Sequence, residues 1–210
     1  MKRIPLTYTV ALFTTSVTIA NASVTVTAQA ITNNGLADST GADLAEDSLI
    51  RIGSFQSFSN AEIITKSLIE LEADFIEFGS GVTGTGFAEG YGAHFDISIT
   101  GVDSDALGIN GDSIYVWAFN GETTNTSSEH AIFEFTETFP NNSDIPPSQS
   151  VSLETGGSFN TVIGVLDAGN TSNAGIGPLY LTQAITAVPE PSSTALLGLG
   201  SVAFLLRRRR

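Results

Sequence analysis

The sequence predicts a mainly β domain, an antiparallel β-sandwich of jelly-roll or immunoglobulin-like type with one helix near residues 61–78. An N-terminal signal helix and a C-terminal transmembrane helix are expected to frame it. Three observations predict the sandwich. Between positions 23 and 187 apolar residues recur mostly with a period of two, as in Phe95-Asp96-Ile97-Ser98-Ile99, which puts them on one face of a strand. These runs are short and bounded by clusters of Gly, Asn, Asp and Ser, the residues that turns demand. No period of about 20 to 50 residues repeats, which excludes a solenoid or propeller.

Taken in order, the alternating runs predict strands at 24–26, 49–52, 94–99, 113–119, 131–135, 151–153, 162–166 and 179–181. One segment changes period. Ile64, Leu68, Leu71 and Phe75 recur at helical spacing after Asn60, a suitable N-cap, while Glu62, Lys66, Glu70 and Asp74 fill other positions, so a helix is expected over 61–78. From Gly79 to Gly92 six glycines follow, with no Lys after them and no P-loop order. The stretch reads as a mobile loop or a bulged strand and not as a phosphate cradle.

The run 113–119 is the most hydrophobic. Ile114, Val116 and Ala118 share one face and Tyr115, Trp117 and Phe119 the other, so both faces are apolar and a central strand is expected, covered by the opposite sheet and by the helix. The three rings could form a platform for stacking sugars. Placement of the single Trp inside the most apolar strand favours core packing instead.

Composition narrows the function. The region 23–187 carries 21 acidic and 2 basic residues, a charge of −19, and such a surface repels phosphate backbones, which excludes nucleic-acid binding. With no Cys there is no disulfide, thiolate nucleophile or cysteine zinc cluster. His94 and His130 lack a second ligand at metal spacing, and no G-x-S-x-G elbow places a serine. Acids are so abundant that no carboxylate pair stands out, and no catalytic residue is assigned; the expectation is a non-enzyme without a cofactor. The one candidate for a metal is calcium. Asp103, Asp105, Asn110 and Asp112 place four oxygen side chains around Gly108 and Gly111, which suits a hard cation, although the same residues also build ordinary turns. Asn-x-Ser/Thr triplets at Asn125, Asn141 and Asn170 mark expected surface loops.

The two ends read as addresses. Met1-Lys2-Arg3, an uncharged stretch over 4–19 and the A-x-A of Ala20-Asn21-Ala22 predict a secretory signal peptide, 1–22, cut after Ala22; Ala28-Gln29-Ala30 offers a second A-x-A. The competing reading, a transmembrane helix, is weakened by the threonines and Ser16 that dilute the run. At the other end Val188-Pro189-Glu190-Pro191-Ser192 is held extended, because each proline fixes its own φ and restrains its predecessor. Residues 195–206 then carry no charge, and Arg207, Arg208, Arg209 and Arg210 finish the chain. Twelve helical residues reach about 18 Å against a hydrocarbon core of about 30 Å, and the arginines extend that reach by snorkelling while holding the end on the cytoplasmic side.

This order of Pro189-Glu190-Pro191, short apolar run and Arg cluster resembles the PEP-CTERM sorting signal of Gram-negative bacteria. The resemblance covers about a tenth of the chain, 188–210. It implies that Pro189, Glu190 and Pro191 are recognised by an exosortase, a membrane-embedded cysteine protease or transpeptidase, that 195–206 is a temporary transmembrane anchor, and that Arg207 to Arg210 are the membrane stop. The partners so implied are the exosortase, signal peptidase with the secretion machinery, the inner membrane transiently, and exopolysaccharide. The function expected is that of an exported cell-surface or extracellular-matrix protein; a carbohydrate-binding or calcium-dependent adhesion module on the same sandwich is the alternative.

Overall fold

A sheet with apolar side chains on both faces organises the molecule. In the computed structural model, which describes residues 23–154 and 157–185, β1 (Val24–Ala30), β2 (Gly35–Ala37), β3 (Leu49–Phe55), α1 (Asn60–Ile63), α2 (Leu68–Asp74), β4 (Phe75–Val82), β5 (Phe95–Val102), α3 (Ser104–Leu107), β6 (Ser113–Phe119), β7 (Glu129–Thr138), β8 (Ser148–Ser152), β9 (Phe159–Ile163), β10 (Val165–Asp167), β11 (Leu179–Leu181) and β12 (Gln183–Ala184) follow one another. The main sheet runs β12-β7-β6-β3-β4, with β9 also on β7, and all its pairings are antiparallel. Two smaller sheets, β5-β1-β8 and β10-β11-β2, complete it. The expected signal peptide, the recognition residues Pro189, Glu190 and Pro191, and the anchor and Arg cluster lie outside the described residues.

The mainly β class is therefore what the alternation predicted. Ile114, Val116 and Ala118 of β6 join Val24, Val26 and Ala28 of β1, Phe95 of β5 and Phe133 of β7 in one core between the main sheet and the β5-β1-β8 sheet. Tyr115, Trp117 and Phe119 point the other way, into a second core closed by Ile63 of α1 and Leu71 of α2. The central strand is thus covered by a sheet on one side and by helices on the other. Two pairings depart from the antiparallel expectation: β1 runs parallel to β8, and β2 parallel to β11.

The expected helix over 61–78 is two short helices and the start of a strand. Ser67 restarts the helix, because its hydroxyl accepts from Glu70 N at 3.3 Å while the Glu70 carboxylate accepts from Ser67 N at 3.0 Å, a reciprocal cap that satisfies two otherwise free donors. Ser59 and Glu62 repeat it, with the Ser59 N–H donating to Glu62 at 2.9 Å. From Phe75 onward the chain pairs with β3. Here the glycines have a physical reason: a Cβ on Gly79 would lie 2.7 Å from Ile99 Cγ2, and one on Gly81 would lie 2.8 Å from Ile97 Cγ1, so β4 approaches β5 only without side chains at these two positions. The predicted strand 162–166 is likewise broken, at Gly164, whose φ of 126° separates β9 from β10.

Candidate functional site

The oxygen ligands expected for calcium sit around α3. Asp103 caps that helix, its carboxylate accepting from Ala106 N at 2.9 Å and from Asn142 Nδ2 at 2.6 Å, and these two hydrogen bonds hold its pKa below the ordinary aspartate value. Gly108 ends the helix in the left-handed conformation at φ 74°, and Asp112 N donates to Ile109 O at 3.0 Å. Asp105 and Asn110 face solvent. The four residues are thus spread over a capped helix and the turn after it, and among the described residues no three His, Asp or Glu side chains gather as a metal-binding group.

Tyr115, Trp117 and Phe119 are core and not a platform: Trp117 and Phe119 are fully buried and Tyr115 is 6% exposed. Trp117 Nε1 donates to His130 Nδ1 at 3.1 Å. Burial lowers the His130 pKa to about 4, so the ring is neutral at pH 7 with its proton on Nε2. The single Tyr115 hydroxyl hydrogen has two acceptors in reach, Asn60 Oδ1 at 3.0 Å and Glu134 Oε1 at 3.2 Å, and burial, followed by the Glu134 charge, pushes its phenol pKa up. Glu134 also accepts from Asn60 Nδ2 at 2.5 Å and Asn160 Nδ2 at 3.2 Å. This network ties α1 to β6, β7 and β9.

The second histidine makes a contact that spacing along the chain could not reveal. His94 Nδ1 donates to Ala30 O at 3.0 Å, since a carbonyl only accepts, and Nε2 accepts from Ser172 Oγ at 2.9 Å. Both side chains are buried. Ser172 Oγ also accepts from Ile176 N at 3.3 Å, so the pair fastens the 168–177 loop to the end of β1. Among the described residues the aromatic rings most open to solvent are Phe87, 85% exposed, and Tyr91, 47% exposed, in the glycine-rich stretch and outside every alternating run.

Both basic residues of the described body are already paired. Arg51 Nε meets Glu77 at 2.5 Å and its guanidinium lies over Phe75 and Trp117, while Lys66 meets Glu70 at 3.2 Å. Among the described residues the excess charge is therefore all negative.

The described chain leaves the domain at a sheet edge. Gln183 and Ala184 of β12 pair with His130 and Glu129 of β7, and Ile185 N donates to Ser128 O at 2.9 Å. Immediately beyond, residues 187–210 match the family model of the PEP-CTERM protein-sorting motif. The chain carries a PEP-CTERM motif. The match spans the residues whose order suggested it, Pro189-Glu190-Pro191 through Arg210. A PEP-CTERM motif implies recognition by an exosortase, and with it export through a membrane-anchored intermediate to the cell surface. No curated protein and no solved structure matches the chain. Among the described residues, which end before the PEP-CTERM anchor segment, no helix is long and apolar enough to cross a membrane.

Proposed function

We propose that the protein is a non-catalytic component of the cell surface or extracellular matrix, exported by its signal peptide and sorted outward by an exosortase. The observation that carries this reading is the PEP-CTERM match at 187–210, directly after the last paired strand of a folded acidic domain. In this reading signal peptidase cuts after Ala22, guided by Ala20 and Ala22. The run 195–206 then holds the chain in the inner membrane and Arg207 to Arg210 stop its passage. The exosortase reads Pro189, Glu190 and Pro191.

Physical chemistry supports the division of labour. Prolines on either side of Glu190 pre-set an extended backbone, the form in which protease sites bind peptides, so little entropy is lost on docking. Three residues lie between Ile185 and Pro189, four Cα-to-Cα steps with a reach of at most about 14 Å, so the enzyme meets its recognition element close beside the β7–β12 edge. The acidic domain stays soluble through charge of one sign, and the role requires neither a cofactor nor a metal. Replacement of Pro189, Glu190 and Pro191 together by Ala tests the reading in the native host. The variant is expected to accumulate in the membrane fraction with its tail uncut, whereas release equal to that of the unaltered chain would refute it.

A further inference from the structure

The β5-β1-β8 sheet turns an ordered, hydroxyl-bearing face to solvent. The alternation that sends Val24, Val26 and Ala28 of β1 into the core sends Thr25, Thr27 and Gln29 outward. Strand register extends these into rows: Thr27 stands between Ser98 of β5 and Ser150 of β8, and Thr25 between Thr100 and Ser148. Gln29 ends the array beside Asp96. We propose that this face, with Phe87 at its rim, binds a neutral glycan chain laid along the sheet. The proposal goes beyond the sorting reading and does not depend on it.

Every group in the array can be reached from solvent. Ser98, Thr100, Ser148 and Ser150 are exposed, and the β1 side chains between them are half-buried. Neighbouring strands place the hydroxyls about 4.8 Å apart, and alternate residues along a strand place them about 6.7 Å apart. Thr27 and Ser98 share one hydrogen bond at 3.2 Å, while the hydroxyls of Thr25, Thr100, Ser148 and Ser150 carry none among the described residues. Asp96 is the one charge in the array, and it already accepts from Gln29 Nε2 at 3.0 Å. The ring stands beside that pair. Phe87 N lies 3.5 Å from Asp96 Oδ2, and a Cβ on Gly86 would lie 3.0 Å from the same oxygen. Phe87 is thereby held at the β5 edge of the face, with 85% of its surface exposed.

That arrangement selects the partner. In a domain of charge −19 an almost uncharged face stands apart, and the charge around it repels an anionic polymer or a second copy of the chain. An apolar partner would strip water from the hydroxyl rows and return no hydrogen bond, at a cost for each group. A cation finds only a carboxylate that is already paired. A neutral glycan meets both demands, because its hydroxyls donate and accept as those of Ser and Thr do, and the C–H face of a sugar ring stacks on an aromatic ring. The face is an open surface and not a pocket, so no single sugar is enclosed. Affinity therefore comes from several rows engaged at once, which a chain provides and a monosaccharide does not. The sheet also holds the rows in place before binding, which lowers the entropy lost.

The test is titration of the full chain, kept in a zwitterionic detergent so that no sugar headgroup competes, with cellohexaose, laminarihexaose, maltohexaose and chitohexaose, and with methyl β-glucoside as the single ring. Calorimetry and amide NMR read the outcome. At least one hexaose is expected to bind in the millimolar range or tighter, shifting the amides of Thr27 and Ser98, with methyl β-glucoside at least about tenfold weaker. Phe87→Ala and Thr27→Val should each weaken the hexaose about three- to tenfold with the circular dichroism spectrum unchanged. Thr161→Ala, exposed on β9 of the main sheet, should leave it unaltered. Binding of no hexaose, a single ring that binds as tightly as the chain, or affinity indifferent to both Phe87→Ala and Thr27→Val would each overturn the proposal.

Discussion

Trp117 of β6 and His130 of β7 are diagonal neighbours on the helix-covered side of the main sheet, joined by an indole N–H that donates to His130 Nδ1 at 3.1 Å. The hydrogen bond needs the neutral imidazole, because a protonated ring has no lone pair at Nδ1 to offer.

Stability should therefore fall with acid. The folded His130 pKa is about 4, against an ordinary value of 6.5, and burial is the cause. The unfolded state binds the extra proton between these values, so the contribution is complete above about pH 6.5 and is lost as pH falls to about 4, amounting to about 3 kcal/mol. Urea titrations of the unaltered chain and of His130→Gln, in which the amide oxygen still accepts from Trp117, isolate it. The difference between the two should change by this amount over that window and stay flat from pH 7 to 8.

Core truncation separates packing from ligand stacking. Trp117→Ala should destabilise the domain by about 3–5 kcal/mol through lost burial and a cavity. Trp117→Phe keeps most of the volume but leaves His130 Nδ1 without its donor, for about 1–3 kcal/mol. Shifts in denaturation midpoint at unchanged slope would verify both, and a fully stable Trp117→Ala would return the ring to the surface.

Ser67→Ala removes the hydroxyl that caps α2 at its Glu70 amide. A loss of about 1 kcal/mol is expected. Hydrogen exchange should quicken first at the amides of Glu70 and Leu71, with β6 amides responding only through global unfolding.

Gly53→Ala should be worse than the loss of the Ser67 cap. At the β3–β4 bulge a Cβ on Gly53 would lie 2.2 Å from Ile76 O and 2.7 Å from Phe75 Cζ, and backbone cannot move aside as a side-chain tip does. Destabilisation at or above the top of the 1–3 kcal/mol range of overpacked sites is expected, measurable by thermal unfolding.

Much of this fold is legible in the chain because local pattern and tertiary environment agree. The two apolar faces of β6 announce a strand with cover on both sides, and both covers are present. Legibility ends where the cause is not local. The glycines of β4 hide their strand because they carry no side chain to alternate, and their reason lies in Ile97 and Ile99 of another strand. The break at Ser67 was written in Ser67-Leu68-Ile69-Glu70, a capping box, but apolar spacing continues across it and masks the restart. Parallel pairing of β1 with β8 joins residues more than a hundred positions apart, which no periodicity encodes. The sorting motif is the opposite case, a linear signal read by residue order.

The account rests on the chain being trimmed at both ends on its way out of the cell, and the intact mass of the extracellular product measures that directly. Expressed in its native host, the secreted protein should begin near Ser23 and lack Arg207 to Arg210. A full-length product that keeps both ends and stays in the cytoplasm would contradict it.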